Sequence, residues 1–290
     1  DHRDLHSFPT RRSSDLIFWR RSWLRKAVSS YLLCATSSPN RTLSRIADPT
    51  SDHPQGINVM SLSIDAMREA IEVGDLAAVT GLLEDEPDLL TTIIRPGENR
   101  NYRPITEAAT QCQLEILAYL IEIGGDVTEE GNYALKRASL YDRCVPVIEI
   151  LIQHGADVNT PGVLVAATEG KALACIECLL RHGAQITGTG RGPDGISHWN
   201  AFTHAAHFNK QCPGMLAILL EHGVEVDDVH PDDGNTLGGT ALHNAARQGD
   251  VVGVSLLLEH GANVSLTNEL GETPMDVAKN KEVRQLLENG

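Results

Sequence analysis

Gly239 to Asn268 reads G-T-A-L-H-N-A-A-R-Q-G-D-V-V-G-V-S-L-L-L-E-H-G-A-N-V-S-L-T-N, and weaker copies of it stand before and after. A chain written in copies of one short unit can fold only by leaning each unit on the next. One unit offers about eight apolar side chains worth roughly 2 kcal/mol each on burial. Ordering its residues costs about 1.5 kcal/mol for each of some 33 positions. A lone unit is therefore unstable, and stability has to come from the interfaces between neighbours.

Within the unit, Thr240, Ala241, Leu242 and His243 open a short helix on a turn, and Ala245 and Ala246 are small enough for close approach of a neighbouring backbone. Gly249 breaks that helix. Val251, Val252, Val254, Leu256, Leu257 and Leu258 form the apolar stripe of a second helix, recurring near the helical period. Gly261 ends it, since a left-handed C-terminal cap favours a residue without a Cβ.

This pattern resembles the ankyrin repeat, a turn plus two helices with a T-P-L-H-x-A opening and a period of about 33 residues. The template extends from Met60 to Gly290, giving an all-α ankyrin-repeat solenoid of about seven units. The first is a cap through Ala70, Ile71, Leu82 and Leu83. Later units open at Arg103-Pro104-Ile105-Thr106, at Tyr133-Ala134-Leu135, at Ala166-Ala167 and at Ala205-Ala206. Glu272-Thr273-Pro274-Met275 starts a shortened seventh. The closing glycines Gly124, Gly155, Gly183, Gly223 and Gly261 are 31, 28, 40 and 38 residues apart, so the last two connections carry insertions.

Residues 1–59 read as a separate, non-native or disordered leader. Residues 1–16 resemble the translation of a common short-read sequencing adapter, and Met60 is the first methionine, hence the expected native start. Phe18 to Ala35 superficially resembles a signal sequence, but its apolar run is short and broken by Ser29 and Ser30.

Without the nine basic and five acidic residues of the leader, 15 Lys+Arg face 34 Asp+Glu, a net charge of −19. Such a field repels nucleic acid and anionic membrane and favours a basic partner. The six cysteines suggest no disulfide framework, because a solenoid with its own core needs no staples, and reduced cysteines fit a cytoplasmic setting. Cys175 and Cys178 fall on the buried stripe of a second helix and read as core thiols, with no second pair to complete a zinc set. His154, His182, His222 and His260 each precede a closing glycine, where an imidazole meets the free carbonyls of a helix end. With His243 they read as structural, spaced one unit apart and not converging.

The resemblance implies a partner surface made of projecting turns and the concave face beside them. The first finger carries Arg95, Arg100, Tyr102 and Arg103, a basic cluster that suits a carboxylate or phosphate, unless it is merely a solvated tip. The insertion from Thr187 to Asn200 brings His198 and Trp199, and Trp199 reads equally as a binding anchor or as a ring folded on its own repeat. The second insertion carries Asp228, His230, Asp232 and Asp233. Its glycine sits one place late for a calcium loop and no glutamate follows at the ligating position, so it reads as an acidic finger for a basic partner.

No nucleophile elbow or paired-carboxylate cleft is recognisable in the sequence. The expectation is a monomeric, non-enzymatic protein-interaction module with no cofactor and no metal. The alternative is the ankyrin portion of a longer enzyme or effector cut short in assembly.

Overall fold

A computed structural model describes residues 59–96, 101–186, 200–229 and 238–290. The chain divides into Asp1–Ile57 and Asn58–Gly290, and every described residue belongs to the second part. Apart from Val59 the leader therefore lies outside the described residues, as do Arg100, His198, Trp199, His230, Asp232 and Asp233.

The helices are α1 (Val59–Val73), α2 (Leu76–Asp85), α3 (Pro104–Gln111), α4 (Leu114–Glu122), α5 (Glu129–Ala138), α6 (Val145–Gln153), α7 (Val163–Glu169), α8 (Leu173–Arg181), α9 (Ala201–Phe208), α10 (Met215–Glu221), α11 (Ala241–Gln248), α12 (Val251–Glu259) and α13 (Lys281–Asn289). They pair in sequence, α1 with α2 through α11 with α12, and α13 closes the series against α12. The first helices of successive pairs, α1, α3, α5, α7, α9 and α11, stack in one row. A second row runs through α2, α4, α6, α8 and α10. The result is the helical ladder expected of ankyrin repeats.

Residue size explains the two rows. Ala108, Ala109, Ala134, Ala138, Ala166, Ala167, Ala205, Ala206, Ala245 and Ala246 are buried in the first row, where small side chains let backbones approach. Leu117, Leu120, Leu151, Leu179 and Leu219 are buried along the second row. The closest approach is at Gly170, where an added Cβ would stand 2.1 Å from the Leu140 carbonyl oxygen of the preceding unit.

The second helices from α4 to α12 end as their glycines require, whereas α2 ends on Glu86 before Pro87. Gly155 has φ 101° and donates to Ile152, while Ala156 donates to Leu151, the paired bonds of a Schellman cap. Gly124, Gly183, Gly223 and Gly261 share the left-handed conformation. His154, His182, His222 and His260 occupy the C-cap positions before them.

The openings vary more. In the organising unit Thr240 caps α11, and its backbone N–H donates to His243 Nδ1 at 3.1 Å. That leaves His243 Nε2–H to donate to the Glu272 carbonyl of the next unit at 3.0 Å. The third unit does it differently: Glu130, Gly131 and Asn132 are left-handed in succession, so α5 runs straight only after Asn132. Asn132 then donates to Thr160 Oγ1 at 2.8 Å and accepts from the Asp157 amide at 3.1 Å. The seventh unit has turns at 274–277 in place of a regular first helix.

The cysteine expectation needs correction. Cys112 and Cys144 form a disulfide between the second and third units, with Cα atoms 4.9 Å apart. Cys112 is the left-handed cap ending α3 and Cys144 stands just before α6, and stacking brings these positions side by side. With this pair bonded, cysteine chemistry no longer favours a reducing compartment over an oxidising one. Cys175, Cys178 and Cys212 are free.

Candidate functional site

The first finger is pinned at its base. Arg95 and Tyr102 form an antiparallel bridge, with the Tyr102 amide donating to the Arg95 carbonyl at 2.9 Å and Ile94 donating to Tyr102 at 2.8 Å. Its described basic side chains, Arg95 and Arg103, reach back to the body. Arg95 Nη2 bonds Glu72 of α1 and, at 2.9 Å, Glu107 of α3. The Glu107 side chain is fully buried and also accepts from Gln111 Nε2 at 2.9 Å. Tyr102 packs edge-on against Tyr133, ring centres 5.7 Å apart, with the Arg95 and Arg137 guanidinium groups at 5.6 and 5.8 Å from its ring. Arg103 pairs with Glu129 at 2.6 Å. Burial pushes the Glu129 carboxyl upward, and the Arg103 charge opposes that rise.

Arg95, Tyr102 and Arg103 are thus one cluster, as the sequence suggested, and each is held by the body of the ladder. Asp228 stands apart from them, in the closing turn of the fifth unit. It accepts from Asn200 Nδ2 at 3.0 Å, and Asn200 caps α9 through the Thr203 amide. Tyr102, Arg103 and Asp228 therefore tie turns to helix starts as well as edging the surface.

A feature not singled out from sequence links the turns to one another. Asn159 Oδ1 accepts from the Gln185 amide of the next unit at 2.9 Å. Asp227 Oδ1 accepts from the Asn263 amide, again one unit on and again at 2.9 Å. Both acceptors stand four places after a closing glycine, and both donors two places after the next. The recurring Asn or Asp was the available signal.

The thiols of the second row offer no nucleophile. Burial, reinforced by nearby carboxylates, pushes both Cys175 and Cys178 up to about 12. His204 lies almost wholly buried in α9, and desolvation, with His207 and Lys171 adding to it, lowers its pKa to about 3. Among the described residues no helix is long and apolar enough to cross a membrane.

Residues 219–278 match the family model described as ankyrin repeats (many copies). The chain is similar to the human mitochondrial disaggregase, 28% identical over 188 residues, covering 63% of this chain and 25% of that protein. A probable E3 ubiquitin-protein ligase, XBOS34 of Oryza sativa subsp. japonica, is 40% identical over 67 residues, 23% of this chain and 12% of the relative. The chain thus spans a quarter or less of the length of these relatives. Among solved structures, the ankyrin repeat domain of human ASB11 aligns with a TM-score of 0.60 at 24% identity, covering 77% of this chain and 96% of that one. The ankyrin repeat domain of Bcl-3, a member of the IkappaB protein family, gives 0.59 at 23%, covering 77% and 97%.

Proposed function

The chain is built of ankyrin repeats, and from that premise we propose that residues 60–290 form a recognition module holding another protein on the projecting turns and the concave face. The observation that carries this reading is how firmly the described turns are tied down. The first finger is braced through Arg95, Tyr102 and Arg103 to α1, α3 and α5, and the Asn159 and Asp227 bonds run from one turn to the next. A surface ordered before contact loses little entropy on docking, so binding energy goes into affinity. The net charge of −19 over residues 60–290 favours a partner with a basic patch over nucleic acid or anionic lipid. In this reading the module is a monomer with no catalytic step, cofactor or metal required for capture.

Trp199, Arg100, His198, His230, Asp232 and Asp233 are the proposed partner-facing residues, and Arg95, Tyr102, Arg103 and Asp228 brace the described turns. The test is affinity capture with the full chain as bait, comparing Trp199→Ala, Arg100→Ala and the Asp232→Asn/Asp233→Asn pair with the unaltered chain. Loss of the same captured proteins in one or more variants, with helical circular dichroism unchanged, is expected. Capture that is identical for every variant would remove these residues from the surface.

A further inference from the structure

Among the capping histidines, His182 differs from His222 and His260. His222 Nδ1 and His260 Nδ1 turn back to the carbonyls of Ile218 and Leu256 on their own helices, at 2.8 and 2.7 Å. His182 instead reaches across to the neighbouring repeat, its Nε2 lying 2.7 Å from Glu149 Oε2 on α6. Cys178, one helical turn earlier on α8, points at the same carboxylate, with Sγ 3.5 Å from Glu149 Oε1. The spacing from Cys178 to His182 is four residues, which puts both on one helix face.

We propose that Glu149, Cys178 and His182 form a binding site for a borderline-soft divalent cation, zinc in the first instance, bridging the third and fourth repeats. One ligand atom from each residue, a carboxylate oxygen, a thiol sulfur and an imidazole nitrogen, lies within 4.8 Å of the other two. A tetrahedral zinc ion with bonds of about 2.0–2.3 Å holds its ligand atoms roughly 3.3–3.6 Å apart. Cys178 Sγ already stands that far from Glu149 Oε1, and His182 Nε2, now on Oε2, must open by about half an ångström as one oxygen turns to the ion. This mixed set suits zinc better than calcium or magnesium, which take oxygen ligands almost exclusively.

Access fits as well. The Cys178 side chain is fully buried, whereas Glu149 and His182 are 27% and 29% exposed. Sulfur is thus shielded and the fourth position faces water, as in three-ligand sites that keep an open place. Arg181 Nη1 also pairs with this carboxylate, 3.4 Å from Glu149 Oε1, on a largely exposed side chain that solvent can accommodate elsewhere. On loading, the Cys178 S–H bond breaks, its electron pair goes to the metal, and the proton goes to buffer. The cation then replaces the Glu149–His182 hydrogen bond as the tie between α6 and α8. Partner capture is not required for any of this.

The experiment is titration of the purified full chain with cobalt(II), a spectroscopic substitute for zinc, followed by zinc displacement. One equivalent should produce the visible bands of four-coordinate cobalt and a thiolate-to-cobalt charge-transfer band, both abolished by zinc. Cys178→Ser should remove the charge-transfer band, and Cys212→Ser should leave it. Glu149→Gln and His182→Gln should each weaken binding by about 10–100-fold or more, the range seen when only the outer partner of a ligand is lost. Those two side chains are partly exposed, so they decide the matter if Cys178→Ser fails to fold. Absence of a cobalt–thiolate band in the unaltered chain, or an unchanged band and affinity in Glu149→Gln and His182→Gln, would overturn the site.

Discussion

At the residue scale, buried polar side chains do much of the joining between repeats. His243 is fully buried and fixes its own helix start while donating to the next unit at Glu272. Replacing it by alanine leaves the Thr240 amide without this acceptor, while the Glu272 carbonyl keeps its bond from the Asn268 amide. The expected loss is about 2–4 kcal/mol in urea unfolding, from two bonds and one unmet donor. Arg95 is 37% exposed but neutralises the fully buried Glu107. Arg95→Ala should cost about 1–3 kcal/mol, less than a fully buried pair because solvent already screens the guanidinium. His204 gives a pH signature. Its folded pKa, near 3, lies below the ordinary value of 6.5, so the unfolded chain takes up its proton first as acid is added. The stability from keeping it neutral is complete above 6.5 and falls by up to about 1.4 kcal/mol per pH unit below that, until the folded pKa is reached. His204→Asn, which installs the residue found at the matching position 244, should flatten the unfolding midpoint between pH 6.5 and 4 relative to the parent. Equal slopes would show that the site charges without cost.

At the element scale, the ends of helices were more legible than their beginnings. A glycine in the left-handed region leaves a direct mark in sequence, so Gly124, Gly155, Gly183, Gly223 and Gly261 located every long second helix from α4 to α12. The openings of the third and fourth units were weak in sequence for a structural reason. The third starts through left-handed Glu130, Gly131 and Asn132 with Asn132 bonding across to Thr160, and the fourth starts on left-handed Gly162 without a side-chain cap. Contacts across repeats were the least legible. The Cys112–Cys144 bond and the Glu149–Cys178–His182 group depend on which residues face each other after stacking, and that register is written nowhere in a single unit. Gly170 shows how tight the register is. Gly170→Ala drives a methyl into the Leu140 carbonyl and should cost about 1–3 kcal/mol through a forced backbone shift. Thermal unfolding of this variant checks it, and an unchanged midpoint would mean the two units slide freely.

At the scale of the whole repeat body, helices α1 to α11 pack on their partners and on the equivalents one unit away, and the family resemblance read from Gly239 to Asn268 accounts for that arrangement. A core distributed this way has no single centre. Its stability is a sum of units and nearest-neighbour interfaces, so units with two neighbours should open last. Terminal helices have one neighbouring unit and should open first. Native-state hydrogen exchange of the full chain, read helix by helix, tests this most directly. The ladder predicts the strongest protection in α6 and α8 and a decline toward α1 and α13; amides in α13 exchanging as slowly as those in α6, by one common opening, would contradict it.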